Sequence, residues 1–256
     1  MVQERVRNKV AVRKILEYAE RRKATAPPAA ASSLFEQVVY ALCRENAPRS
    51  AADQAFDNLR NQFFDWNEVR VSKAHEVAAA LQPIGENRSA RMLRARRIVR
   101  FLQKVFDSQY TFDLAELHNR TLKQAQRQLE RLLDKNEFAV YTALRIGFGV
   151  PTMPVDATMR RVLERLRLVD KGAAPTTLQE QLQSLVPEAK RPLFCEALDG
   201  IAWEYCGDSP ACQACCLNGI CPTGRAHLAP RRKQVTRSSR SGGKKTQRAR
   251  RQAGRE

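Results

Sequence analysis

The sequence predicts an all-α protein. Apolar residues recur at helical period through almost every segment, and no stretch shows convincing strand alternation. The periodic segments end at prolines, glycines or small capping residues, as helices do. At 256 residues with 43% hydrophobic content, the chain can bury one large core or two modest ones.

Residues 2–23 form a basic helix. Pro27 and Pro28 stop it within a Pro/Ala/Ser linker, and Ser33 can cap the next helix. That helix, 34–46, carries Leu34, Phe35, Val38, Val39 and Leu42 on one face. Pro48 breaks it, and Ser50 starts a helix holding Ala55, Phe56, Leu59 and Phe63. A further helix runs near Ser72–Leu81 and ends at Pro83. Gly85 opens a turn before a long helix from Arg88 to Phe106, with Leu93, Ile98, Val99, Leu102 and Val105 facing inward. Arg88, Arg91, Arg94, Arg96, Arg97 and Arg100 crowd its other faces with no acid between them, which favours a phosphate-facing surface over a merely solvated one. Thr121 caps a helix to Leu133, and a break at 134–136 leads to another through Phe138, Val140, Leu144 and Ile146. A Gly/Pro loop follows, then an amphipathic helix starting at Asp156, then helices over 176–185 and 187–205. Beyond Pro222 apolar residues nearly vanish, so 223–256 is expected to be a disordered basic tail.

The net charge of +18 is unevenly spread. Residues 231–256 carry +10 and the first 25 residues +5, leaving about +3 on the body. Basic ends on a balanced body fit a nucleic-acid partner, the bland alternative being a solubilising tail. No apolar run reaches the roughly 18–20 residues that span a bilayer, and the N-terminus lacks the apolar core of a signal peptide. The expectation is a cytoplasmic, nucleoid-associated monomer that avoids membranes.

The densest chemistry is Cys206-x5-Cys212-x2-Cys215-x5-Cys221, with Cys216 beside the third. Four thiolates within sixteen residues can converge on one centre, an iron–sulfur cube or a tetrahedral zinc. Two disulfides are the alternative, but nothing else in the chain looks secreted. The wide outer loops flanking one tight Cys-x2-Cys differ from paired zinc-ribbon knuckles and favour iron–sulfur. Cys43 and Cys195 sit on apolar faces and read as buried thiols. His75, His118 and His227 form no ligand set, and Trp66 and Trp203 read as packing residues.

In this order, three features resemble the endonuclease III branch of the helix-hairpin-helix DNA glycosylases. Gly149-x-Pro151-x3-Val155-Asp156-Ala-Thr-Met-Arg160-Arg161-Val162 is similar to that family's Pro-x-x-x-Val-Asp-Thr-His-x-x-Arg-Val stretch. The cysteine quartet stands about fifty residues downstream, as in that family. Ser33-Leu-Phe-Glu36 and Ile84-Gly85-x4-Ala90 are similar to its Ser-Pro-Phe-Glu start and Ile-Gly-x4-Lys-Ala turn. The resemblance spans residues 33–222 and implies a two-lobed fold: helices 73–168 as one lobe, 33–72 plus 169–205 as the other, and a cluster loop at 206–221. It implies a 4Fe-4S cluster, zinc being the lesser reading, on Cys206, Cys212, Cys215 and Cys221. It also implies double-stranded DNA as partner, Asp156 as the catalytic carboxylate and Asn46 as the residue entering the gap left by a flipped base. For Asp156 and Asn46 a capping role is the plain alternative. Arg88 and Arg91, and Arg225 beside the cluster loop, are the candidate DNA contacts.

The chain also departs from the pattern. The family's Leu-Pro-Gly-x-Gly-x-Lys hairpin is Leu132-Leu133-Asp134-Lys135-Asn136-Glu137-Phe138 here. Both glycines are gone, and phenylalanine, which cannot be a nucleophile, replaces the lysine that forms the Schiff base in lyase members. The first cysteine gap is one residue short, and Ile201-Ala202 replaces His-Gly. The reading that results is a monofunctional DNA N-glycosylase of base-excision repair. Its rival is a non-catalytic iron–sulfur DNA-binding protein on the same scaffold, with an RNA-binding protein as a third option.

Overall fold

The computed structural model describes residues 2–22 and 33–229. Among them every regular element is helical. The expected linker and the expected tail beyond Ala229 lie outside the described residues.

The first lobe runs from Ser33 to Phe148. Ser33 accepts from the Glu36 amide and opens α2 (Leu34–Arg44), the first helix, α1, being Val2–Arg21. Then come α3 (Arg49–Gln62), α4 (Trp66–Val71), α5 (Ala74–Ala80), α6 (Arg88–Gln109), α7 (Leu122–Leu132) and α8 (Glu137–Phe148). Their inward faces form one core, with Phe35, Phe56, Phe101, Ile98 and Leu129 fully enclosed. Each such side chain contributes about 1.5–3 kcal/mol by leaving water.

The second lobe joins α1 to the chain after Pro151: α9 (Ala157–Leu166), α10 (Pro175–Leu185), α11 (Arg191–Glu204) and α12 (Pro222–Leu228). Ala11, Val12, Ile15, Leu16, Tyr18 and Ala19 form the apolar stripe that seats α1 on α11. Gly200 permits the close approach, since a Cβ there would lie 3.0 Å from the Tyr18 hydroxyl.

The cores therefore divide near residue 150, not as expected. Residues 33–72 pack with 73–148 because the α2 apolar face fits α3, α6 and α8. Helix α9, placed in the 73–168 lobe by its sequence position, buries Val162, Leu163 and Leu166 with α11. The basic count of the N-terminus had hidden an apolar stripe. Residues 222–228 are helical and pack on α9, so the tail begins later than 223. Two smaller differences concern α4 and α6. Helix α4 was not foreseen, being only six residues long. Leu93 is exposed, and the inward face of α6 is instead Arg94, Ala95, Ile98, Phe101, Leu102 and Val105.

Buried Arg94 has a structural cause. Its guanidinium donates to the Leu42 carbonyl (2.6 Å) and the Cys43 carbonyl (3.2 Å) and pairs with Glu86. The last carbonyls of α2 lack helical partners, and this arginine supplies them. It is not available to a phosphate.

Candidate active site

A cleft of about 410 Å³ lies where the lobes meet. The first lobe contributes Leu42, Glu45 and Asn46, together with the turn from Leu132 to Phe138, and the second contributes Val155–Ala157 and Arg160.

Asp156 is the N-cap of α9 and only 5% exposed. Its Oδ1 accepts from the Met159 amide (2.9 Å) and the Thr158 hydroxyl (2.7 Å), the first being the ordinary capping bond. Its Oδ2 accepts from the Asn46 amide across the lobe boundary (2.8 Å). The Asn46 side chain returns the contact, its Oδ1 accepting from the Ala157 amide (3.0 Å). Asn46 holds φ at 52°, a left-handed conformation that asparagine tolerates better than most residues. Asn46 and Asp156 thus meet at the cleft wall, and both carry the capping role as well.

The opposite wall is the turn between α7 and α8. Asp134 and Lys135 both adopt left-handed φ, 50° and 58°. That conformation costs an L-residue roughly 1–2 kcal/mol. The turn closes through the Lys135 amide to the Glu130 carbonyl (2.8 Å) and the Asn136 amide to the Leu133 carbonyl (2.9 Å). Asn136 caps α8 at the Ala139 amide (2.8 Å) and donates to Glu45 (2.8 Å), which also pairs with Arg97 (3.0 Å). The hairpin is therefore formed without glycine. A hydrogen bond from Lys104 holds the Asp134 carboxyl below its ordinary range, and Arg100 adds to it at 3.5 Å. The acid that would repel a phosphate is matched by two cations.

Phe138 packs against both cores and lines the cleft, so it is part of the joint between the lobes. Beside it Glu137 has its carboxyl raised by burial, with Arg160 opposing. A second interlobe contact lies behind Asn46. Arg44 reaches Asp199 of α11 with both Nη atoms and also donates to the Ala47 carbonyl. Burial raises the Asp199 carboxyl, against the pull of Arg44. No sequence signal marks this pair, whose members stand 155 positions apart.

The far end of α9 grips the cysteine loop. Arg161 donates to the Cys206 carbonyl (2.9 Å), and Arg165 donates to the Cys206 sulfur (3.2 Å) and the Gly207 carbonyl (2.8 Å). The Leu217 amide approaches the Cys215 sulfur and the Gly224 amide the Cys221 sulfur, each at 3.4 Å. Cys212 lies 3.8 Å from His227 Nδ1. All five loop cysteines are free and half-buried. Among the described residues no three His, Cys, Asp or Glu side chains converge as a single bare ion would require. The donor chemistry suits a thiolate-bound group, because three of the four sulfurs already face N–H donors. Cys43 and Cys195 are buried, and burial pushes each thiol up to about 12.

Of the other candidates, Arg88 is exposed and Arg91 half-exposed at the start of α6. Arg225 is exposed and donates to the Gly219 carbonyl (2.9 Å). Among the described residues no helix is long and apolar enough to cross a membrane.

No protein-family model matches the sequence, and no curated protein matches it. Solved structures do share its fold. A trapped endonuclease III–DNA covalent intermediate aligns with TM-score 0.63 at 17% identity, over 86% of this chain and 98% of that one. A thermostable thymine-DNA glycosylase aligns with TM-score 0.58 at 17% identity, over 86% and 97%. A 3-methyladenine DNA glycosylase from H. pylori, bound to 1,N6-ethenoadenine, aligns with TM-score 0.50 at 16% identity, over 77% and 97%.

Proposed function

With the endonuclease III-like helix-hairpin-helix glycosylase fold as the premise, we propose that this chain is a DNA base-excision repair glycosylase. It hydrolyses the N-glycosidic bond of a damaged or mismatched base flipped out of duplex DNA, acting as a monomer and without a lyase step. The observation that carries the reading is Asp156, a carboxylate fixed on the wall of the interlobe cleft by donors from both lobes.

The chemistry follows from that placement. As the bond from C1′ to the base breaks, the base leaves with the electron pair and positive charge grows on the sugar. A fixed carboxylate nearby stabilises that charge. Three of its roughly four acceptor positions are filled by Met159, Thr158 and Asn46. The remaining one can orient a water toward C1′, whose proton passes to solvent as the C–O bond forms. Phe138 in place of an amine supports hydrolysis over Schiff-base chemistry. Lys135, exposed beside the neutralised Asp134, supplies the positive charge that a phosphate at the hairpin requires. Arg88, Arg91 and Arg225 extend that contact, while the Asn46 side chain, engaged by the Ala157 amide, holds Asp156 in place rather than entering the gap left by the flipped base.

Cys206, Cys212, Cys215 and Cys221 would hold a 4Fe-4S cluster, with Arg165 and the two amides as donors to sulfur. Bound there, the cluster would pin the loop and α12 against α9.

The hairpin without glycines also supports the rival reading, a DNA-binding protein that has lost catalysis. One assay separates the two. Duplexes carrying assorted lesions and mismatches are incubated with the protein and then treated with hot alkali. Strand breaks that need the alkali support the glycosylase. Intact strands from every duplex, with binding retained, support the binder.

A further inference from the structure

We propose that Arg44 is a positioning residue for the Asn46–Asp156 contact and works by anchoring the Asn46 turn to α11. The inference deepens the glycosylase reading and, in its second test, rests on it.

The geometry is specific. Asn46 and Ala47 form the turn that follows α2, and the amide and side chain of Asn46 are what hold Asp156 and the start of α9. The turn leaves the helical ladder there and has a left-handed residue at its centre. Arg44 folds back over it: one Nη donates to the Ala47 carbonyl and to Asp199 Oδ1 (3.1 Å), and the other pairs with Asp199 Oδ2. Both side chains are only 12% exposed. Asp199 belongs to α11, and α9, which begins immediately after Asp156, packs on the same helix. Helix α11 is thus the common reference for both partners of the contact. The Arg49–Glu196 pair (3.8 Å) also joins the next helix to α11. A planar guanidinium can serve a carboxylate with two nitrogens and a carbonyl at once. A lysine keeps the charge but not the fork.

Arg44→Lys in the full-length protein is the test, with Asp199→Asn as the second variant. Amide hydrogen exchange read by NMR should quicken by about tenfold at Asn46 and Ala157, the size expected when a charge-assisted hydrogen bond is lost. Amides in α5 and α10 should keep their rates. Unchanged exchange at Asn46 and Ala157 in both variants, or equal quickening everywhere, would overturn the proposal. The second measurement is base release under single turnover. The rate should fall by about 10- to 100-fold, as for a slight misplacement of catalytic groups, while duplex Kd stays put. Equal loss of rate and affinity would overturn the proposal in favour of a structural role. A wild-type protein that releases no base defeats the glycosylase reading alone, since the exchange rates still decide the role of Arg44.

Discussion

On one wall of the cleft, Asp156 and Asn46 exchange hydrogen bonds across the lobe boundary. On the other, Asp134, Lys135 and Asn136 hold a tight turn with no glycine among them. The first wall holds its side chains through donors from both lobes. The second holds a backbone shape with residues that are not glycine. Its backbone is held in a costly conformation by Asn136 capping, and its acid is matched by Lys104 and Arg100. If Asp156 is the carboxylate of the proposed chemistry, few side chains could take its place, whereas a turn can be closed by several residues.

The hairpin wall offers the largest stability effect. Phe138 is half-buried between both cores, so Phe138→Ala should cost about 2–3 kcal/mol, somewhat less than a fully buried phenylalanine. Denaturant unfolding measures it, and a loss confined to one lobe would show that the joint lies elsewhere. Next comes the cysteine loop. Protein purified without oxygen should show the visible charge-transfer absorption of an iron–sulfur centre, and Cys206→Ala should lose it. A colourless wild type binding zinc would replace the cluster assignment. Lys135→Gly sharpens the comparison directly. Relief of the left-handed strain should raise stability by about 1 kcal/mol. Loss of one cation should weaken duplex binding and reduce the salt slope by about one. Stabilisation without a change in slope would mean that Lys135 does not meet phosphate. Removal of residues 231–256, which carry +10, should flatten the salt dependence of nonspecific binding while leaving base release unaltered.

Much of the fold was legible because its signals are local. Ser33, Thr121 and Asp156 cap the helices that follow them, as their positions before apolar runs indicated. The lobe boundary was not legible, because which helix faces meet depends on tertiary fit. Helix α1 was legible as a basic helix, but its charge masked the buried face on which Ile15 and Ala19 recur at helical spacing. For Arg94 the run of charge suggested a phosphate-facing surface, and the carbonyls at the end of α2 claimed it instead. In the site, Asp156 and Asn46 could be named from motifs. Their mutual contact, and the Arg44–Asp199 pair behind it, join residues more than a hundred positions apart that no pattern links.

The proposed chemistry depends on one carboxylate, Asp156. Release of free base from lesion-bearing duplexes, followed by mass spectrometry for wild type and Asp156→Asn, tests it most directly. Release by wild type and a loss of about 10²–10⁴-fold in the variant are expected, with duplex affinity nearly kept and a stability cost of about 1–3 kcal/mol from the buried donor that loses its acceptor. Equal release by both proteins would contradict the proposed chemistry.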